Sequence, residues 1–307
     1  MNPILTRHLY GSVRKKRFFW FLSLYLLCIG LLALFFVLVI AVPLFSSTST
    51  TSMLNIFTGG RSLYWFSSVI LILTSSLLVP INALGAFAGE RENRTIELLV
   101  TTTLKARDIV LGKLTSAGAT GAIYVLAPLP LLMTGFWLGG VTIEELGITL
   151  VFLVLTMSMS IAWALFISSF ARKTIAAVLI FFGLTLASTP IILILGVALG
   201  GLSQAWQYNT VTNIQPFWIE AMIQYGWVIL AGFHPLVAAI VTEAMIFQQD
   251  SWLLLHFTVE RSNVITGATI TGSLTLPSPW ITFTIFAIIA TAVLLRITIW
   301  RIGRTER

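Results

Sequence analysis

Residues 90–113 read ERENRTIELLVTTTLKARDIVLGK, and nine of these 24 positions are charged: Glu90, Arg91, Glu92, Arg94, Glu97, Lys105, Arg107, Asp108 and Lys113. On the N-terminal side, the 28 residues from Ser62 to Gly89 contain no Asp, Glu, Lys or Arg. On the C-terminal side the same holds for the 30 residues from Leu114 to Ile143. A helix crosses a bilayer with about 20 apolar residues, so the charged stretch is a polar connection between two membrane spans. Its charges are of both signs, whereas a loop that only set orientation or touched anionic lipid would be mainly basic. With Ile96, Leu98, Leu99 and Val100 set among them, the pattern predicts a short helix that docks on a protein.

The composition places the whole chain in the membrane. Of 307 residues, 57% are hydrophobic and only 9% charged, with a mean hydropathy of +0.97; soluble domains carry about 25% charged residues. A single cysteine, Cys28, excludes an internal disulfide and a cysteine-based metal site. His8, His234 and His256 are too far apart to suggest ligand spacing. The net charge of +7 reflects topology rather than a nucleic-acid partner. Sixteen of the 18 Lys and Arg fall at helix ends read as cytosolic, and only Arg61 and Arg261 fall outside.

Along the chain, Asn2 caps and Pro3 opens a short helix whose face holds Ile4, Leu5, His8 and Leu9. Residues 1–17 are therefore expected to lie in the bilayer interface, with Arg14, Lys15, Lys16 and Arg17 anchoring the first span. That span covers about Phe18 to Leu44, far longer than a signal-peptide core. A Ser/Thr-rich external loop runs from Ser46 to about Arg61. The second span, about Leu63 to Ala88, holds Pro80 and ends in Gly85-x-x-x-Gly89, a close-packing pattern. After the charged connection Asp108 is expected to cap a third span, about Ile109 to Leu138, bent at Pro128 and Pro130. Glu144 and Glu145 mark an external turn, the fourth span runs from about Leu146 to Phe170, and Arg172 and Lys173 form a basic cytosolic turn. The fifth covers about Ile175 to Leu199.

Residues 200–279 are read as an external region. Ala221 to Thr242 is long enough to span, but a seventh crossing would place Arg296, Arg301, Arg304 and Arg307 outside, and Gly226, Gly232 and His234-Pro235 interrupt the run. It is expected to be a re-entrant hairpin in the outer leaflet. A small external strand pair is expected within Val264 to Leu276. The last span is about Trp280 to Trp300. The fold class is thus an all-α integral membrane protein with six transmembrane helices and both termini cytosolic.

No span has a charged residue near its centre, which speaks against an ion-coupled pump. Arg296 can snorkel to the headgroups. Asn82, Ser158, Ser160, Ser188 and Thr189 read more readily as helix-packing contacts than as ligands. There is no G-x-x-x-x-G-K-[ST] phosphate loop, so no enzymatic activity of that kind is expected of this chain. If transport is driven, a separate ATPase must grip the cytosolic face.

These features resemble the membrane subunits of type-2 ABC (ATP-binding cassette) exporters. The family pattern is roughly E-x-x-x-G-T-[LIM]-E-x-L-L-x-[ST]-P-[LIV]-[ST], with Gly-Lys a few residues on. This chain agrees at Glu90, Thr95, Glu97, Leu98, Leu99, Leu104 and Gly112-Lys113. It departs at Arg94 (usually glycine), Thr103 (proline) and Lys105 (Ser or Thr). The resemblance implies an interfacial N-terminal helix, six spans, a coupling helix at residues 89–105 and a re-entrant hairpin before the last span. It also implies a partner ABC ATPase that holds ATP and Mg, and a second permease subunit, identical or different. Glu90, Arg91, Glu92, Arg94, Thr95 and Glu97 would then meet the ATPase, with Ile96, Leu98 and Leu99 filling its groove. The expected setting is the plasma (inner) membrane.

Three other readings stay open on sequence: a secondary transporter or channel, a membrane-embedded enzyme, and a non-transporting anchor for an ATPase. For the enzyme the one pair to consider is His256 and Glu260, which would share a helix face outside, a spacing more usual of a solvated contact.

Overall fold

The computed structural model describes residues 16–46, 52–94, 105–139, 141–209, 217–249, 253–262 and 269–305. Ten helices and one strand pair are present among them: α1 (Lys16–Ser46), α2 (Ser52–Leu77), α3 (Ile81–Glu92), α4 (Ala106–Leu126), α5 (Leu129–Trp137), α6 (Ile143–Phe170), α7 (Thr174–Asn209), α8 (Phe217–Gly232), α9 (Pro235–Gln249), β1 (Leu254–Ser262), β2 (Thr269–Pro277) and α10 (Pro279–Thr305). Five helical stretches are long and apolar enough to cross a membrane: Gly59–Glu92, Ala106–Trp137, Ile143–Phe170, Thr174–Leu199 and Pro279–Arg304. The protein is a mostly helical, multi-pass membrane protein.

The breaks follow the prolines. Proline has no N–H and its ring clashes with the carbonyl four residues back, so the stretch Gly59–Glu92 divides at Leu78–Pro80 into α2 and α3, and Ala106–Trp137 divides at Ala127–Pro128 into α4 and α5. Pro190 by contrast lies inside α7.

Several boundaries differ from those expected of the sequence. Residues 52–61 are helical, so Arg61 stands on α2 and not in a loop. Asp108 is not a cap: Lys105 holds that position with no side-chain bond, and Asp108 sits in the first turn, where a negative charge suits the helix dipole. Glu144 and Glu145 are in the first turn of α6, capped by Thr142, whose hydroxyl accepts from the Glu145 N–H at 3.3 Å. The Thr-x-x-Glu spacing is a helix-start signal that outweighs the reading of two acids as a turn. The strand pair is wider than expected, Leu254 lying opposite Pro277 and Ser262 opposite Thr269. His256 and Glu260 are therefore strand residues and share no helix face.

The chain forms two compact units, 1–182 with 288–307, and 183–287. In the first, Tyr64, Leu71, Leu84, Phe87, Leu132, Leu153 and Leu165 are buried together with small polar residues such as Ser67, Ser75 and Ser168. Small side chains let helices approach closely where lipid removes the hydrophobic drive between them. In this unit α2 packs on α5 and α6, and α3 on α6. Ser158 donates to its own helix at the Leu155 carbonyl, and Asn82 is exposed, so neither is arranged as a ligand.

In the second unit, α8 and α9 pair with each other and with the strands, and Tyr225 donates to the Thr275 carbonyl at 2.8 Å. The helix pair breaks at Phe233-His234, whereas α8 runs straight through Gly226. At about 1.5 Å per residue, its 16 and 15 residues are each too short to cross a hydrocarbon core of about 30 Å.

Candidate functional site

The site lies where α3 ends and α4 begins, the two roots of the charged connection. α3 stops at Asn93, and Arg94 takes φ +56°, a left-handed conformation that turns the chain out of the helix. The connection returns at Lys105, whose extended backbone precedes α4. Glu92, Asn93, Arg94, Lys105, Arg107 and Asp108 are exposed. Thr95, Ile96, Glu97, Leu98 and Leu99 lie outside the described residues, as do Arg14 and Lys15 and the expected interfacial helix; Lys16 and Arg17 open α1.

Three charged side chains at the end of α3 are directed to partners in their own chain. Glu90 Oε1 lies 2.6 Å from Lys113 Nζ, so an ion pair joins the last turn of α3 to the second turn of α4. Lys113 is only 7% exposed. It also donates to the Ala86 carbonyl and sits 4.5 Å over the Phe87 ring. A buried ammonium needs this set, because burial without partners costs several kcal/mol. Arg91 donates to the carbonyls of Ala171 (2.7 Å) and Ser169 (3.1 Å). These carbonyls end α6, where helix geometry leaves them without intrahelical donors. Glu92 accepts from the Thr174 N–H at 3.1 Å, a carboxylate at the N-terminus of α7.

Two contacts that sequence reading did not single out complete the base. Ser168 on α6 accepts from the N–H groups of Phe87 and Ala88, both at 3.0 Å, and donates to the Leu84 carbonyl at 2.7 Å. Arg301, near the end of α10, donates to the Ser169 carbonyl at 3.0 Å and stacks 3.5 Å over Phe170. Arg301 had been legible only as part of a basic cytosolic end. Lys113 had been legible only as the last charge of the polar connection. The Gly85-x-x-x-Gly89 pattern faces Thr174, where added methyl groups would stand 3.6 and 3.5 Å away, in ordinary contact. Closer glycine contacts lie elsewhere, among them Gly60 against the Gly139 carbonyl and Gly135 against the Tyr64 backbone.

At the other end of the unit, Arg61 lies 3.7 Å from Glu145. Tyr64 donates to the Glu145 carbonyl at 3.1 Å and to Thr149 at 2.7 Å. No group of three or more His, Cys, Asp or Glu with metal-binding geometry occurs among the described residues.

A multi-pass helical membrane protein, with a charged connection rooted between the apolar stretches Gly59–Glu92 and Ala106–Trp137, is the class that these elements define. Residues 4–219 match the family model described as ABC-2 family transporter protein, and the chain belongs to that family of ABC transporter membrane components. Comparison with individually curated proteins gives no match. The resemblance drawn from residues 90–113 is thus borne out, and membership implies association with an ABC ATPase.

Proposed function

We propose that the chain is the membrane-spanning subunit of an ATP-driven exporter in the cytoplasmic membrane, with residues 94–105 as the lever worked by the ATPase. The six spans are α1, α2–α3, α4–α5, α6, α7 and α10, both ends of the chain are cytosolic, and α8–α9 is a hairpin dipping into the outer leaflet. The chain hydrolyses nothing itself. ATP and Mg belong to the partner ATPase, and a second permease subunit completes the pathway.

One observation carries the reading: the roots of the lever are tied to three other helix ends. Glu90 with Lys113 closes its base, so both roots move as one. Arg91 and Glu92 extend the tie to the end of α6 and the start of α7, and Arg301 brings in α10. A push on the lever therefore displaces the cytosolic ends of five helices together instead of bending a loose loop. Charge complementarity with the ATPase falls to the exposed Arg94, Lys105, Arg107 and Asp108 together with Glu97, while Glu90, Arg91 and Glu92 transmit the displacement.

The test separates the two roles. Arg94→Glu combined with Lys105→Glu should abolish co-purification of the ATPase subunit. Arg91→Ala should leave co-purification intact and lower transport-coupled hydrolysis at least about tenfold, as expected when positioning is lost. Retention of both binding and coupled hydrolysis in the charge-reversed protein would sink the lever.

A further inference from the structure

His234 is a buried titratable side chain that takes no part in the coupling site. It stands at the break between α8 and α9, is 4% exposed, and has Nε2 3.1 Å from Thr189 Oγ1 of α7. Thr189 is within reach of the Thr185 carbonyl at 3.3 Å, to which it donates. Its hydroxyl can then accept from Nε2–H of a neutral imidazole, and the Thr185 backbone also lies beside the ring. Nδ1 is then a bare acceptor, buried and without a hydrogen-bond partner. Thr189 precedes Pro190, whose missing N–H weakens α7 at that turn.

The same helix pair is keyed to its neighbours by glycine. A methyl group on Gly196 would overlap the Trp227 ring, and one on Gly232 would overlap Thr282. Two side-chain hydrogen bonds cross this packing, His234 with Thr189 and Thr282 to the Val228 carbonyl. Among the described residues the imidazole has no ion-pair partner. α7 from Thr174 to Asn209 and α10 from Pro279 to Ala287 contain no Asp, Glu, Lys, Arg or His. Glu220 on α8 and Glu243 on α9 are 14 and nine residues from His234, about 20 and 13 Å along the helices. His256, Glu260 and Arg261 are on β1.

We propose that His234 is an acid-released latch that holds the tip of the α8–α9 pair against α7 at the Thr189–Pro190 turn. With one proton the ring fits. A second proton on Nδ1 creates a cation whose polar neighbours are the Thr189 hydroxyl and the Thr185 backbone, with no carboxylate among the described residues beside it. An unpaired charge cannot stay in such a site, so the tip leaves α7. The proton comes from solvent and returns to it when the latch closes.

The experiment is amide hydrogen exchange of the full-length protein in lipid nanodiscs, corrected for the chemical exchange rate, at about pH 7.5 and about pH 5, which bracket the imidazole range. Protection of residues 230–238 should fall about tenfold or more on acidification. His234→Gln keeps a donor for Thr189 without titrating, so its protection should be equal at both pH values. Thr189→Val removes the acceptor and should lower protection already at neutral pH. Equal protection of the unaltered protein at both pH values would overturn the latch, as would an acid step that persists in His234→Gln. Should His234→Gln fail to fold, neutral-pH protection unchanged in Thr189→Val would do the same. No transport enters the readout, so its outcome is independent of the exporter reading.

Discussion

Arg94 holds φ +56° at the end of α3, a conformation that a side chain with a Cβ adopts at a cost and glycine adopts freely. This is the position at which the family pattern has glycine, so the departure read from the sequence has a physical consequence. Arg94→Gly should stabilise the helix end by about 1 kcal/mol, seen as a higher midpoint of thermal unfolding in detergent. The Glu90–Lys113 pair is tested by a double-mutant cycle. Lys113 is nearly inaccessible and its partner mostly so, so removing one member strands the other. Lys113→Met should cost about 3 kcal/mol, and adding Glu90→Gln should recover more than half of it. Additive losses in denaturant unfolding would show that the two do not act as a pair. Neither residue stood out in sequence as half of a contact, because a 23-residue separation says nothing about which side chains meet.

Among the elements, sequence reading matched five long apolar helical stretches and the breaks at Pro80 and Pro128, and found the close contacts poorly. Gly85 and Gly89 have the spacing of a packing motif but face Thr174 at ordinary distance. Gly135 has the same spacing with Gly139, which the sequence reading passed over, and a Cβ there would stand 2.8 Å from Tyr64 Cβ and 2.9 Å from its backbone. Backbone cannot rotate aside, so α2 and α5 would have to separate. Gly135→Ala should therefore destabilise by about 2 kcal/mol, while Gly85→Ala should be tolerated within about 0.5 kcal/mol. Thermal unfolding of the two variants decides between them, and equal effects would contradict the packing described. The capping of α6 by Thr142 was present in the sequence as Thr-x-x-Glu but lost to the weight given to two adjacent acids.

For the whole molecule, the topology makes one prediction. In a Cys28→Ser background, cysteines placed at Lys105, Arg172 and Arg304 should resist a membrane-impermeant thiol reagent in intact cells and react after permeabilisation. A cysteine at Glu144 should react in intact cells. Labelling of Lys105→Cys from outside would invert the connection and remove the ATPase from reach. The match over residues 4–219 fits this picture, since it covers the charged connection and the spans on both of its sides.

What the sequence by itself determined is the membrane class, the approximate limits of five long apolar stretches, and the family to which the chain belongs. These depend on quantities that run along the chain: hydrophobic length against bilayer thickness, exclusion of charge, and proline's missing donor. Only the tertiary structure decided which groups meet. Arg91 reaches Ala171 across 80 positions, Arg301 reaches Ser169 across 132, and His234 reaches Thr189 across 45. Each partner is set by where two helices cross and how closely small residues let them approach, and neither is written in the spacing of either helix alone.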